Sequence, residues 1–541
     1  MSRRAPLLAA ALLALAHTAA AAQAQSAVRP LTRPERTEFR ETSRYADVVA
    51  FLDTVAAASP RIHLTTFGYT FEGRALPLAI VTNLRDVSPQ AIRASGKTVV
   101  YLQGDIHAGE VEGKEGLLQI LRDISRGGHA EWMDSLVLLV APIFNADGNE
   151  RIALNNRPQQ HGPLAGMGTR PNAQGLNINR DFSKLETPEA RAQAALMNAY
   201  DPHVLLDLHT TDGTFHAYHL TYAAPLHPNT DSAIVRLARG EWLPAVVREA
   251  KARYGYNFFD YGNVPTAESP WAAAPGSERG WYTYDWRPRF SNHYWGLRNR
   301  FGILSETYSY LTFRDRIDVQ RRFVEQVVDW AARNATRIRR TTAEADRRDL
   351  RGMQMAATAR LRRTGPAPVL MGEVSEERNP YSGETIYLRK DVVRPEPMPL
   401  FIDYEPAITD RMPLAWLVPD SMGDVADRLR AHGIRFERAN GVEAVLETFR
   451  IDSATTARGE LEGHHERRVY GRWEAITPPV AGTWLRVRAD QPLGRLAFTL
   501  LEPRSDDGFA AWGLLDAWLA GATRYPILRE PVLDTSRPLS R

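Results

Sequence analysis

The pattern of apolar and polar residues in the first part of the chain predicts alternating strands and helices. Two apolar runs between Ile62 and Thr82 flank Glu72-Gly73, which is typical of a hairpin. Further apolar runs have the length of buried strands and lie at 98–103, 136–144, 203–208 and 301–305. Helices are expected at 45–58, 117–124 and 317–335, and from the capping pair Thr187-Pro188. Such alternation favours an α/β fold with a mostly parallel or mixed sheet covered on both faces.

The pattern changes at about Arg340. A stretch of alternating charges at 333–351 predicts a solvated helix, and a proline-rich run follows at 395–399. Beyond it the sequence predicts a helix at 422–432 and strands at 415–418, 435–438, 483–488 and 495–500. We therefore expect a smaller C-terminal α/β accessory domain of unknown role over residues 345–541. The segment His464-His465-Glu466 is interpreted as a solvated turn, because adjacent side chains on a strand point to opposite faces.

Residues 1–24 have the pattern of a signal peptide. Arg3 and Arg4 precede an apolar run, and small residues end in Ala22-Gln23-Ala24. The apolar run is shorter than the roughly 20 residues of a spanning helix. We therefore expect cleavage, a periplasmic or secreted location and no stable membrane anchor.

Composition limits the classes of function. Hydrophobic residues at 44% and charged residues at 24% are typical of a folded protein, and 541 residues are enough for two domains. The net charge of +3 results from 67 basic and 64 acidic residues, so we expect no nucleic-acid partner. The sequence has no cysteine, so a zinc site must use histidine and carboxylate ligands. The oligomeric state stays open.

The candidate chemistry lies where predicted strands end. His107 and Glu110 follow the strand at 98–103, three residues apart, so both side chains can face one ion. His209 directly follows the run HVLLDL, and Glu306 directly follows FGILS. Sites in such sheets form at the carboxyl ends of strands, which favours a shared metal site over unrelated polar residues.

These residue types suit hydrolysis. Two histidines and one glutamate leave an open coordination position for water, as in catalytic zinc sites. Zinc lowers the pKa of that water, and a carboxylate that does not bind the metal can act as general base, a role that fits Glu306. Arginine can hold an oxyanion or a substrate carboxylate; Arg157 and Arg180, the latter beside Asn179, are candidates.

Together these segments resemble the M14 family of zinc carboxypeptidases. The matching motifs are HAGE at 107–110, NADG at 145–148, NRDF at 179–182, DLH at 207–209 and ILSE at 303–306. The resemblance covers about Tyr45 to Ala335, and we expect a catalytic domain over 45–338. It implies a three-layer α/β/α peptidase fold with a mixed, mostly parallel sheet of about eight strands.

The resemblance also implies roles for individual residues. One Zn²⁺ per chain would be held by His107, Glu110 and His209, with Glu306 activating the water. Asn179 and Arg180 are similar to the pair that binds a C-terminal carboxylate. For the arginine beside the oxyanion, Arg157 is the first candidate and Arg170 competes. For the tyrosine that covers the substrate, Tyr284 fits the spacing better than Tyr282 and Tyr294.

One position departs from the family pattern, and the substrate stays open. Where the family often has an aspartate that orients a zinc-bound histidine, this chain has Asn177. The leading hypothesis is a zinc metallocarboxypeptidase that hydrolyses C-terminal bonds of peptide or protein substrates. The alternatives are a zinc amide hydrolase acting on N-acyl amino acids or peptidoglycan peptides, and a non-catalytic binding protein.

Overall fold

The protein is built around one mixed β-sheet. The computed structural model describes residues 29–265, 277–476 and 480–533, and within them eight strands form this sheet in the order β1-β2-β4-β3-β5-β9-β6-β7. The strands are β1 (Ile62–Tyr69), β2 (Ala75–Val81), β3 (Thr98–Gly104), β4 (Leu136–Ala141), β5 (Val204–Thr211), β6 (Leu220–Ala223), β7 (Phe258–Asp260) and β9 (Phe301–Tyr308); β8 (Trp281–Tyr282) belongs to another sheet. The ladders β3–β4, β3–β5, β5–β9 and β6–β7 are parallel, and β1–β2, β2–β4 and β6–β9 are antiparallel.

Helices cover both faces of this sheet. Because side chains alternate along a strand, Val100 and Leu102 of β3 enter one core and Val99 and Tyr101 enter the other. The helices are α1 (Arg33–Arg36), α2 (Tyr45–Ala57), α3 (Pro89–Ala94), α4 (Glu112–Ser125), α5 (Trp132–Ser135), α6 (Ala146–Glu150), α7 (Pro188–Tyr200), α8 (Ser232–Leu237), α9 (Leu243–Tyr254), α10 (Ser291–Leu297), α11 (Phe313–Arg333) and α12 (Ala335–Arg347). Helices α2, α4, α9 and α11 contribute to the first core, and α7 and α10 to the second. The predicted three-layer α/β/α fold is confirmed.

The C-terminal region is richer in strands than its sequence pattern predicts. Strands β10 (Gln354–Met371) and β13 (Arg394–Arg411) form a long antiparallel pair, which β8 joins, and β11 (Val374–Arg378) pairs with β12 (Thr385–Arg389). In the described residues a further sheet of six strands follows: β14 (Ala415–Pro419), β15 (Glu437–Val442), β16 (Leu446–Thr456), β17 (Arg467–Ile476), β18 (Val480–Arg488) and β19 (Leu528–Glu530). Its helices are α13 (Gly423–His432), α14 (Gly494–Leu501) and α15 (Asp516–Leu519).

One predicted element of this region is wrong. The run at 495–500 was expected to be a strand, but it lies in helix α14, all of whose residues are buried. Because this segment is buried on every side, its apolar residues do not follow a period that separates a short strand from a helix. The proline-rich run at 395–399 lies in β13.

The two regions share a hydrophobic core. The second core contains Leu205 and Trp295 from the first region together with Trp416 and Phe498 from the C-terminal one. The division between residues 338 and 345 stays a prediction. The expected signal peptide lies outside the described residues. Among the helices in the described ranges, none combines the length and apolar character needed to cross a bilayer.

A buried ion pair joins two helices beside the carboxyl ends of the central strands. Arg316 of α11 and Glu112 of α4 form this pair, and neither side chain is exposed. The Arg316 guanidinium also donates to the carbonyl oxygens of His161, Ser309 and Leu311 at 2.9, 2.9 and 2.8 Å. Because several backbone segments depend on one cation, its removal would take a donor from several backbone acceptors, and from a buried carboxylate its only positive ion-pair partner among the described residues.

We predict that Arg316→Met lowers the free energy of unfolding by about 3–5 kcal/mol, because it leaves the Glu112 carboxylate buried and unpaired. Urea unfolding followed by circular dichroism measures this. The control is Arg340→Met, which removes an exposed pair with Glu344 whose side chains are 68% and 55% accessible and should cost less than about 1 kcal/mol. Equal losses in the two variants would contradict the prediction.

Candidate metal centre

Three parallel strands bring the predicted site residues to one edge of the sheet. Strand β3 ends at Gly104, and the turn before α4 carries His107 and Glu110. In the parallel ladder of β5 and β9, His209 lies opposite Glu306. Both strands continue two residues beyond these positions. His209 and Glu306 therefore lie within the last three residues of their strands and not directly after them.

The side chains of His107, Glu110 and His209 converge. Their ligand atoms all lie within 4.8 Å of one another, and the three residues are buried. The Glu110 carboxylate lies between the two rings, with Oε1 at 3.1 Å from His107 Nδ1 and Oε2 at 2.9 Å from His209 Nδ1. The backbone N–H of Thr210 also donates to Glu110 Oε2 at 3.1 Å. The arrangement offers two imidazole nitrogens and one carboxylate to a common centre.

The far side of each ring has an oxygen partner. His107 Nε2 lies 3.0 Å from Asn177 Oδ1, and His209 Nε2 lies 3.0 Å from Asp207 Oδ2. Since these oxygens accept hydrogen bonds, each Nε2 is assigned the proton, and Nδ1 of His107 has the lone pair that faces the centre. Burial opposes the charged form of His209, but Asp207 and Glu110 raise its pKa, so Nδ1 of His209 binds a metal by releasing its proton. Burial and the nearby Arg170 lower the pKa of His107 to about 3, which keeps its ring neutral at pH 7. This donor set fits zinc, which binds neutral imidazole and carboxylate.

Glu306 lies beside this centre, and its carboxylate differs from that of Glu110 in its pKa and its partners. Burial, with the nearby negative charge of Glu110, raises the pKa of Glu306 to about 8, although His209 and Arg157 oppose the shift. Among the described residues its Oε2 is buried and has no hydrogen-bond partner. Glu306 can therefore exchange a proton with a small molecule placed between it and the histidines.

Two arginines reach Glu110. Arg157 Nη1 donates to Glu110 Oε1 at 3.0 Å, and its other nitrogens bind Thr210 O at 2.9 Å and Gln160 Oε1 at 3.0 Å. Arg170 Nη1 lies 3.4 Å from the same oxygen. The Arg157 side chain is 14% exposed and the Arg170 side chain 42%. Both predicted candidates thus lie at the centre, one fixed by protein acceptors and the other at its open side.

The predicted carboxylate pair lies next to the histidines. Asn179 Nδ2 is 3.4 Å from His209 Nε2, and Asn179 Oδ1 accepts from the backbone N–H of Ser291 at 2.9 Å. The guanidinium of Arg180 stacks on the ring of Phe290, 3.8 Å from its centroid. Burial and the neighbouring cation Arg170 lower the pKa of Arg180 to about 9. Arg180 is still charged at pH 7, and an anionic ligand would offset the repulsion among these arginines.

The three candidate tyrosines differ in their surroundings. Tyr282 stacks on Phe401, and fully buried Tyr294 bonds to His432 Nδ1 at 2.9 Å, so both have core roles. Tyr284 donates to Asn292 Oδ1 at 2.9 Å and is only partly buried. Burial raises its pKa, and the negative charge of Glu306 adds to that shift.

Sequence reasoning missed two residues at this site. Tyr261 lies edge-on to Tyr284 with ring centroids 5.2 Å apart, and the charge of Glu306 contributes to raising its pKa after burial. Asp207 holds His209, as described above. The alternation of β5 could have identified Asp207, because residues i and i+2 of a strand share a face. No local signal marks Tyr261.

Comparisons with known proteins find similarity to carboxypeptidases. Residues 48–291 match the M14 peptidase family model, described as Zinc carboxypeptidase. Carboxypeptidase 2 of Trichophyton rubrum is 23% identical over 461 residues, 81% of this chain and 77% of that protein, and Carboxypeptidase 2 of Trichophyton tonsurans is 22% identical over 489 residues, 85% and 81%. The crystal structure of a metallo-carboxypeptidase from Burkholderia cenocepacia aligns with a TM-score of 0.38 at 15% identity, over 54% of this chain and 69% of that one. Residues 48–291 therefore form a domain of the M14 zinc carboxypeptidase family, and the chain that carries it is a metallopeptidase.

Proposed function

We propose that this protein is a zinc metallocarboxypeptidase that removes C-terminal residues from peptides. The observation that carries the proposal is the convergence of His107 Nδ1, Glu110 and His209 Nδ1, with Glu306 beside them. Arg180 is a cation at the same edge of the sheet. It supplies a binding group for a terminal carboxylate, which distinguishes an enzyme that acts at a chain end. A location outside the cytoplasm rests on the signal-peptide pattern of residues 1–24.

One zinc ion per chain would be held by His107, Glu110 and His209. When bound, zinc lowers the pKa of a water molecule and polarises the scissile carbonyl. Asn177 and Asp207 keep the two rings turned so that each Nδ1 faces the ion. Glu110 is held in place by the N–H of Thr210 and by Arg157.

Glu306 moves the protons of the reaction. Its buried Oε2 accepts a proton as water attacks the carbonyl carbon, and the same group then donates it to the amine that leaves. Zinc in the neighbouring site would counter the repulsion from Glu110 that raises the pKa of Glu306 and would favour its ionised form.

The contacts favour Arg170 over Arg157 as the donor to the developing oxyanion. Arg157 is committed to Thr210 O, Gln160 Oε1 and Glu110, all within the protein. Gly109 leaves room for it, since a Cβ there would lie 2.7 Å from Arg157 Cγ. Arg170 is partly exposed and can move onto a substrate oxygen. Arg157 is then a support for Glu110.

Arg180 and Asn179 bind the terminal carboxylate. The ring of Phe290 covers one face of the Arg180 guanidinium, and Arg180 Nη1 donates to Asn179 O at 2.6 Å. The remaining N–H groups of Arg180 can meet a planar anion edge-on, the geometry in which arginine binds a carboxylate. Tyr284, whose ring centroid lies 5.1 Å from that of Phe290, is proposed to cover the substrate. A profile of peptides against muropeptides and N-acyl amino acids tests the substrate class: the proposal requires release of free C-terminal amino acids.

We predict that Glu306→Gln keeps about one zinc per chain but lowers kcat roughly 10²–10⁴-fold, because the amide cannot accept the proton. Metal analysis and peptide hydrolysis measure the two effects. Glu344→Gln, on the exposed side of α12, is the control and should behave as wild type. Unchanged turnover in the Glu306 variant would refute its role as the base.

For the oxyanion, Arg170→Met is expected to lower kcat by about 10²–10³-fold, the usual effect of removing one such donor, with zinc content and thermal stability kept. Arg157→Met should instead weaken zinc binding and lower the melting temperature, because Glu110 and Thr210 O each lose a donor. The reverse pattern would return the oxyanion role to Arg157.

Replacement of Arg180 with methionine should matter only for substrates with a free C-terminal carboxylate. We expect kcat/KM for such a peptide to fall about 10- to 100-fold, since a hydrogen bond to a charged group contributes roughly 1.5–3 kcal/mol. The matching peptide with a C-terminal amide, already a poor substrate, should change little. The same loss on both peptides would show that Arg180 does not bind the carboxylate.

A further inference from the structure

One loop of the C-terminal region reaches the metal centre. Residues 457–466 connect β16 to β17, and we name them the hairpin loop. At its tip, Leu461 and His464 exchange backbone hydrogen bonds of 2.8 and 3.0 Å. Glu462, between them, has φ of 51°, a left-handed conformation that a non-glycine residue seldom adopts. The tip is thus a defined turn that aims the Glu462 side chain.

Glu462 accepts a hydrogen bond from the segment that orients a proposed zinc ligand. Its Oε2 lies 2.7 Å from the backbone N of Asn177. The Asn177 side chain uses its Oδ1 for His107 Nε2 at 3.0 Å and for the N–H of Asn179 at 3.0 Å. The backbone and the side chain of Asn177 therefore have separate partners, and the backbone partner comes from the C-terminal region.

Two further contacts fix the hairpin loop against the catalytic half. His464 Nε2 lies 2.9 Å from Glu186 Oε2, and Glu466 Oε1 accepts from Arg287 at 2.9 Å and Arg289 at 2.6 Å. Glu466 holds the segment that leads into α10 and Phe290, on which Arg180 stacks. The structure thus differs from the solvated turn expected for this segment, because its polar residues meet partners that are distant in sequence.

The strength of the Glu462 contact follows from its charge. A carboxylate that accepts from a backbone N–H makes a charge-assisted bond, shorter and stronger than a neutral one. Glu462 is partly buried, so solvent competes less for it than for Glu460, which lies two residues away in the same loop and is exposed. The negative charge of Glu462 also opposes the lowering of the Arg180 pKa.

We propose that Glu462 is a positioning residue of the metal centre, holding Asn177 so that Asn177 orients His107, and that the C-terminal region is by this contact an integral part of the catalytic unit. The inference rests on the proposed function in taking His107 as a zinc ligand. It gives the region from about residue 345 a role that its sequence does not reveal. Glu462 touches neither metal nor substrate in this role.

The test is zinc affinity of the full-length chain, measured by competition with a chromogenic chelator in the absence of substrate. Residues that orient a metal ligand typically affect affinity 10- to 100-fold, and Glu462 lies one contact further out. We therefore expect Glu462→Ala to raise the Kd for zinc by about 10-fold. Glu462→Gln should stay near the wild-type value, because an amide oxygen still accepts from Asn177. Glu460→Ala, the matched control, should not change it.

Kinetics and stability separate positioning from a structural effect. With zinc at saturation, Glu462→Ala should lower kcat with KM unchanged. A variant whose metal-free melting temperature falls while its zinc affinity stays at the wild-type value would overturn the proposal, and so would an equal loss of affinity in Glu460→Ala. If Glu462→Ala does not fold, Glu462→Asp replaces it in the test. This variant shortens the side chain by one methylene and so moves the acceptor away from Asn177 N, and the same loss of zinc affinity is expected. Zinc binding by the wild type without peptide hydrolysis would refute the proposed function alone.

Discussion

The parallel pairing of β5 with β3 and β9 is the constraint on which the site depends. It sets Leu208 beside Gly104 and His209 beside Glu306, so three chain segments far apart in sequence deliver their polar residues to one edge. A shift of one residue in either ladder would turn His209 or Glu306 into the hydrophobic layers, because side chains alternate along a strand. Burial of the alternate residues on both faces makes that shift costly.

The negative charge of Glu110 at this edge has polar and positively charged partners on several sides. Glu110 is contacted by two histidines, two arginines and the N–H of Thr210. The Thr210 hydroxyl in turn donates to Glu112, its carbonyl oxygen accepts from Arg157, and Glu112 is paired with Arg316. A buried carboxylate without such partners would be neutralised or would destabilise the fold. The same network that keeps Glu110 in place therefore also joins α4, β5 and α11.

The C-terminal region takes part in the architecture around this edge. It shares a hydrophobic core with the face of the sheet that carries α7 and α10, and β8 pairs in parallel with β13. Through the hairpin loop it contacts Asn177, Glu186 and the arginines that precede Phe290. Because these contacts join residues 177 to 285 positions apart, they restrict the loops around the centre more than local turns could.

The sequence by itself determined the α/β class, the succession of the central strands and helices along the chain, and the residues of the candidate centre. These follow from local properties: burial makes strands apolar, the pair Thr187-Pro188 caps a helix, and catalytic side chains come at strand ends. The tertiary structure decided what depends on distant partners. The run at 495–500 is a helix. The sequence could not identify it, because burial on all sides removes the helical period of apolar residues. The tertiary structure brought Asp207, Tyr261 and Glu462 to the site, engaged Arg157 with protein oxygens and left Arg170 partly exposed. Asp207 could have been identified from its place two residues before His209 on a strand. The other outcomes are not encoded in a residue's neighbours along the chain, since each is set by which surfaces meet when the sheets and helices pack.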